Sequence, residues 1–136
     1  MDICEGLFKH LSENEEITNE VGNRIYPMVL PQNCVLPSLV YAPVLANYDS
    51  ALGGDTGFVR QTIQITSHAK TYKKARSLSR LVKKAIQDLH GNMGGVFIDA
   101  TFIKTDSELN GNTSLKFDVD EFMSFIEFEF HYKEEK

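Results

Sequence analysis

The sequence predicts an α+β domain: an antiparallel or mixed sheet of four to five strands, a basic amphipathic helix packed across one face, and a short N-terminal helix. Three patterns carry that prediction. Apolar and polar residues alternate over 59–66, 96–102 and 121–132, an apolar stripe at helical spacing runs over 75–89, and a shorter one occupies the first eleven residues. The long helical stretch also sits in the most unusual feature of the chain. Residues 56–87 hold eight of the fourteen Lys and Arg residues and none of the nineteen Asp and Glu, so this window is +8. The remaining six cations and nineteen acids leave the rest of the chain at −13.

At 136 residues and 42% hydrophobic content the chain reads as one domain, 1–136, able to bury a core. Ile3, Leu7, Phe8 and Leu11 recur on one helical face. Ser12 begins a polar break, and a second helical stretch holding Ile17 and Val21 is stopped by Gly22-Asn23. Arg24-Ile25-Tyr26 reads as a short strand ended by Pro27, with Pro31 and Pro37 keeping the next segment extended. Leu39-Val40-Tyr41 opens a strand running toward about Ala46.

Residues 48–57, rich in Gly, Asp and Ser, read as a flexible hairpin tip. The alternating strand through Val59, Gln61, Ile63 and Ile65 follows it. Thr71 is placed to cap a helix whose Ala75, Leu78, Val82, Ala85, Ile86 and Leu89 share one stripe, closed by His90-Gly91. Val96, Ile98, Ala100 and Phe102 mark a further strand, and 105–119 read as a long polar loop. The last strand, 121–132, is expected to put Phe122, Ile126, Phe128, Phe130 and Tyr132 on the core face. There is no repeat, linker or low-complexity segment.

Residues able to do chemistry do not assemble into a site. The run Gly53-Gly54-Asp55-Thr56-Gly57 links two strands and lacks the Lys-Ser/Thr ending and the helix that a phosphate loop needs. Asp118, Asp120 and Glu121 lack the spacing of a calcium loop, and the four histidines are scattered. Glu127 and Glu129 share a strand face with Glu121 and His131, an arrangement that is commonly solvated or salt-bridged. No Ser lies in a nucleophile elbow, and Cys4 and Cys34 are expected as two reduced thiols. The expectation is therefore no catalytic residue, no metal, no cofactor and no enzyme activity. The N-terminus has no basic segment followed by an apolar run, and no stretch approaches the roughly 20 apolar residues of a membrane span, so a soluble product made in the cytoplasm is expected.

A net charge of −5 and a pI near 5.3 argue against a protein that coats nucleic acid. A Lys-rich helix face is often only solubilising, but an ordinary solvated helix mixes both signs, and this window contains no acid at all. Two readings follow. The basic face meets an acidic surface of another copy, or helix 70–89 serves a small nucleic-acid-binding module. The second would need aromatics interleaved with the charges, and the window offers Phe58 and Tyr72.

The order of short motifs Gly22-Asn23-Arg24-Ile25-Tyr26-Pro27, Pro31-Gln32 and Leu36-Pro37-Ser38-Leu39-Val40-Tyr41 resembles the opening of the tail-completion, or tail-terminator, proteins of long-tailed bacteriophages and prophages. Gln61-Thr62-Ile63-Gln64-Ile65, Ser67, Thr71-Tyr72, Ala75, Leu78, Val82 and Ala85-Ile86 are similar to that family's middle strand and helix, so the resemblance covers about residues 3–90. It implies a structural virion protein, assembled in the host cytoplasm and placed at the tail–head junction. That protein would form a homo-oligomeric ring, usually a hexamer, that ends tail growth and joins tail to head. Its partners would be the tail-tube protein and head–tail connector proteins, with DNA only as cargo and no membrane. A head-to-tail ring needs two complementary surfaces on each subunit. The expected basic side is Lys73, Arg76, Arg80, Lys83 and Lys84, and the expected acidic side is Glu127 and Glu129. Asp49 and Asp55 in the hairpin tip, with Asp106, Glu108 and Asp118 in the long loop, are the expected docking residues toward tube or connector; the loop acids Asp106, Glu108, Asp118 and Asp120 are also an alternative acidic side.

Overall fold

A computed structural model of the chain describes residues 2–51, 54–110 and 122–134. Side-chain caps set where the helices begin. Asp2 accepts from the Cys4 amide (3.2 Å) ahead of α1 (Ile3–Ser12), and Asn14 accepts from the Ile17 amide (3.1 Å) ahead of α2 (Glu15–Val21). Thr71 accepts from the Lys74 amide (3.2 Å) ahead of α3 (Tyr72–Ile86), as its sequence position predicts. Each bond satisfies an amide that the first helical turn leaves without a partner.

Six strands appear among the described residues: β1 (Ile25–Pro27), β2 (Ser38–Ala51), β3 (Gly54–Ala69), β4 (Gly91–Met93), β5 (Val96–Asn110) and β6 (Phe122–Lys133). They form one mixed sheet in the order β1-β2-β3-β6-β5-β4. Only β1 and β2 run parallel; every other pairing is antiparallel. The α+β class and the mixed sheet are as expected, but the count of four to five strands is corrected to six. The extra strand is β4, whose three residues are too few to show any alternation.

Three further expectations change. The supposed tip at 48–57 is mostly strand, because β2 continues to Ala51 and β3 starts at Gly54. The supposed loop from 105 is strand as far as Asn110, with Asp106 paired to Ile126 and Asn110 to Phe122. Polar residues there read as loop, yet the backbone ladder to β6 holds them extended. Helix α3 stops at Ile86 rather than at His90-Gly91: Gln87 has an extended ψ of 132° and Asp88 a φ of 59°. Leu89 still packs against the core from outside the helix.

All three helices lie on one face of the sheet. Leu7 and Leu11 of α1, Ile17 and Val21 of α2, and Leu78, Val82 and Ile86 of α3 share one core with Ile63, Ile65, Ile126, Phe128 and Phe130. In β6 the even-numbered residues from Ser124 to Tyr132 are buried and the odd-numbered ones are not, which gives the expected core face. Phe122 is only half-buried, and Phe8, expected in the core stripe, is 39% exposed.

The N-terminal helix meets the sheet edge through two glycines. A Cβ on Gly6 would sit 2.6 Å from the Met93 carbonyl oxygen, and one on Gly94, at φ +58°, would collide with the Gly6 carbonyl. Neither clash can be relieved by a side-chain rotation, because backbone is the obstacle. Gly6→Ala is expected to destabilise the fold by about 2–3 kcal/mol, read as a lower urea midpoint at unchanged slope.

Candidate functional site

The basic residues of α3 divide into two stripes according to what lies beside the helix. Lys74 and Lys84 face α2, where Lys74 Nζ is 3.8 Å from Glu20 and Lys84 Nζ is 3.4 Å from Glu16. Both pairs are exposed, and such pairs contribute little each. They nevertheless show that part of the charge segregation seen in the sequence is matched inside one subunit. Lys84, expected at an interface between copies, is one of these internally paired residues.

Lys73, Arg76, Arg80 and Lys83 follow one another at three- and four-residue spacing on the other stripe. Arg76, Arg80 and Lys83 line a small cavity of about 80 Å³ together with Ser79, Ser124, Ile126 and Asp106. The structure thus brings Asp106, expected as a docking residue, beside the basic helix of its own chain. No ion pair is formed by Lys73, Arg80 or Lys83 among the described residues.

Glu127 and Glu129 lie on the sheet face opposite the helices, as their odd positions in β6 require. Glu129 already has partners there. His131 Nε2 donates to its Oε1 at 2.8 Å, and Lys104 Nζ is 3.5 Å from its Oε2. The hydrogen bond from His131 and the neighbouring Lys104 hold the Glu129 carboxyl below the usual carboxylate range. Glu127 is paired in register with Gln64 and Thr105. Sequence reasoning placed the basic and acidic residues on different elements; the structure sets them on opposite faces of the subunit.

Of the other expected docking residues, Asp49 and Asp55 lie in β2 and β3, and Glu108 in β5, while Asp118 is outside the described residues. The ladders fix where these strands end. Phe58 pairs with Lys133 at one end of the sheet and Ala69 with Phe122 at the other. The β2–β3 hairpin therefore closes at one end, and β5 and β6 approach their connection at the opposite end. Among the described residues no group of three or more His, Cys, Asp or Glu is arranged to hold a metal, no helix is long and apolar enough to cross a membrane, and Cys4 and Cys34 are free thiols.

Residues 5–120 match the model of the family described as tail completion protein gp17. The chain belongs to that family. As a tail completion protein it is a structural component of the phage virion at the tail–head junction and not a catalyst. No curated protein matches it in sequence. Among solved structures, a chain of the virion of a native gene transfer agent particle shares its fold, with a TM-score of 0.75 over 93% of this chain and 91% of that one at 12% identity.

Two features of the tail completion protein were not legible in its sequence. Lys104 reaches Glu129 because a register shift between Ile103 and Thr105 leaves it as the extra residue of a bulge, and no sequence signal marks that bulge. An open groove of about 540 Å³ lies where α1 meets the end of β1 and the first half of β2.

Two titrations follow. Because Glu129 is held below its ordinary value of 4.5, its stabilisation is present above that value and is lost as pH falls through the lowered folded value. Glu129→Gln should therefore be less stable than the parent at neutral pH, with the gap closing under acid denaturation. Burial, aided by Glu134, pushes the Tyr132 phenol from 10.0 up to about 12. Its contribution is complete below pH 10 and lost as pH rises through about 12, so Tyr132→Phe should flatten the alkaline fall in melting temperature across that window.

Proposed function

We propose that the protein forms a closed ring, six subunits around, at the head-proximal end of the tail tube, where it stops tube growth and presents the surface that receives the head. The tail-tube protein and the head–tail connector proteins are its partners, and DNA passes through as cargo. What supports this most, beyond the family, is the placement of unlike surfaces on opposite sides of one subunit. The stripe Lys73, Arg76, Arg80 and Lys83 lies on the helical layer, and Glu127 and Glu129 lie on the far face of the sheet. Unlike opposite surfaces are what a heterologous contact uses, and such contacts form a ring when the rotation between subunits closes. Glu127 and Glu129 are the acidic side suggested by the sequence, with Glu129 weakened in that role by its bonds to His131 and Lys104.

The two opposed strand ends supply the axial surfaces of this reading. Asp49 and Asp55 belong to the hairpin closing at one end of the sheet. Asp106 and Glu108 belong to the strand that runs toward the other. A joining protein must meet two different partners, and acidic strand ends pointing opposite ways give it one surface for each.

Native mass spectrometry over a concentration series, with and without a short DNA duplex, tests the reading. A closed oligomer near six times 15.4 kDa, with no bound duplex, is the expected species. Arg80→Glu combined with Lys83→Glu should yield monomers that keep the far-ultraviolet circular dichroism of the parent, because neither residue has an ion pair to lose among the described residues. A duplex-bound monomer whose affinity falls steeply with salt would replace the ring with a nucleic-acid-binding module on α3.

A further inference from the structure

The groove between α1 and the β1–β2 edge is a concave surface whose chemistry matches another exposed part of the same chain. Its walls are Phe8, Pro27, Met28, Tyr41 and Pro43, with the Phe8 and Tyr41 rings 6.2 Å apart and tilted. Met28 is 61% exposed. An apolar hollow left open to water in this way marks a docking surface. Among the described residues its charged rim is acidic: Asp2 and Glu5 border it, and no Lys or Arg side chain lines it.

The first turn of α3 has the complementary chemistry. Tyr72 is 53% exposed, touching Phe122 only edge-on with ring centroids 6.4 Å apart. Lys70, Lys73 and Lys74 flank it in sequence, all exposed, with Lys74 turned to Glu20. An exposed aromatic beside cations is the side-chain type that anchors interfaces. Within one subunit Tyr72 packs at the β6 start while the groove lies at the β1–β2 edge, so the chain does not fill its own groove.

We propose that the groove of one subunit receives Tyr72 of the next copy, with Lys70 and Lys73 of that copy set against Asp2 and Glu5. This inference rests on the ring reading, and it moves the acidic partner of Lys73 from Glu127 and Glu129 to the groove rim. The contact is heterologous: a groove on one part of the subunit takes a helix start from another. In a ring each subunit gives its groove to one neighbour and its helix start to the other, which is how the contact propagates. Tyrosine supplies the apolar anchor and the lysines supply orientation, a division of roles common at interfaces.

Cys4 lines the groove and gives a direct test. In a Cys34→Ser background, which leaves Cys4 as the one native thiol, Lys73→Cys keeps Tyr72 intact and places a second thiol beside it. A short bis-maleimide should then produce a ladder of covalent dimers, trimers and larger species, abolished by Cys4→Ser. Tyr72→Ala should weaken self-association about tenfold or more in sedimentation, with Tyr72→Phe close to the parent. A parent protein that assembles while the ladder stops at dimer or survives Cys4→Ser, or while Tyr72→Ala associates normally, would overturn this contact and leave the ring standing. A parent that stays monomeric both alone and with tail tubes would remove the ring reading and this contact with it.

Discussion

β6 is the last strand in sequence, yet it lies between β3 and β5 and makes the sheet continuous. Twelve residue pairs tie it to β3, and its buried side chains Ile126, Phe128 and Phe130 form the floor on which α3 rests. Without it the chain would separate into a β1-β2-β3 unit and a short β4-β5 hairpin, neither with enough apolar surface for a core. The helical layer depends on the same strand. Leu78, Val82 and Ile86 of α3 need its apolar face, and α1 and α2 pack in turn around α3, with His10 of α1 donating to the Ala85 carbonyl at 3.0 Å.

That arrangement also governs the electrostatics. With every helix on one side of the sheet, the alternation within β6 forces Glu127, Glu129 and His131 to the other side. Helix α3 has a similar division around its circumference. Its flank toward α2 is matched by Glu16 and Glu20, and its flank toward β5 keeps a run of positive charge. The net window charge seen in the sequence thus overstates what the surface offers, because charges far apart in the chain meet across α2 and α3.

The elements with strong periodicity were legible from sequence: α3 with its Thr71 cap, the alternation of β3 and β6, and the break between α1 and α2. What sequence hid shares a physical cause. β4 and the far part of β5 are held by backbone pairing to a neighbour, and backbone bonding leaves little mark on side-chain pattern. The charged residues of the site were legible as residue types and elements, but their pairing was not. Lys84 with Glu16 is a contact across 68 positions, and Asp106 beside Arg80 is created by strand register. The groove at Phe8 and Met28 was invisible because it is made of residues that sequence assigns to a core stripe and a loop.

The two glycines where α1 abuts the β4–β5 turn do more than permit close approach. With Gly6 backbone seated against the backbone of Met93 and Gly94, and Val96 close beside it, the helix cannot slide without dragging the sheet edge along. Asp2, Cys4, Glu5 and Phe8 ride on that same helix. The wall they form is therefore held in its final shape before anything reaches it, and an incoming group meets a surface that surrenders almost no freedom of its own.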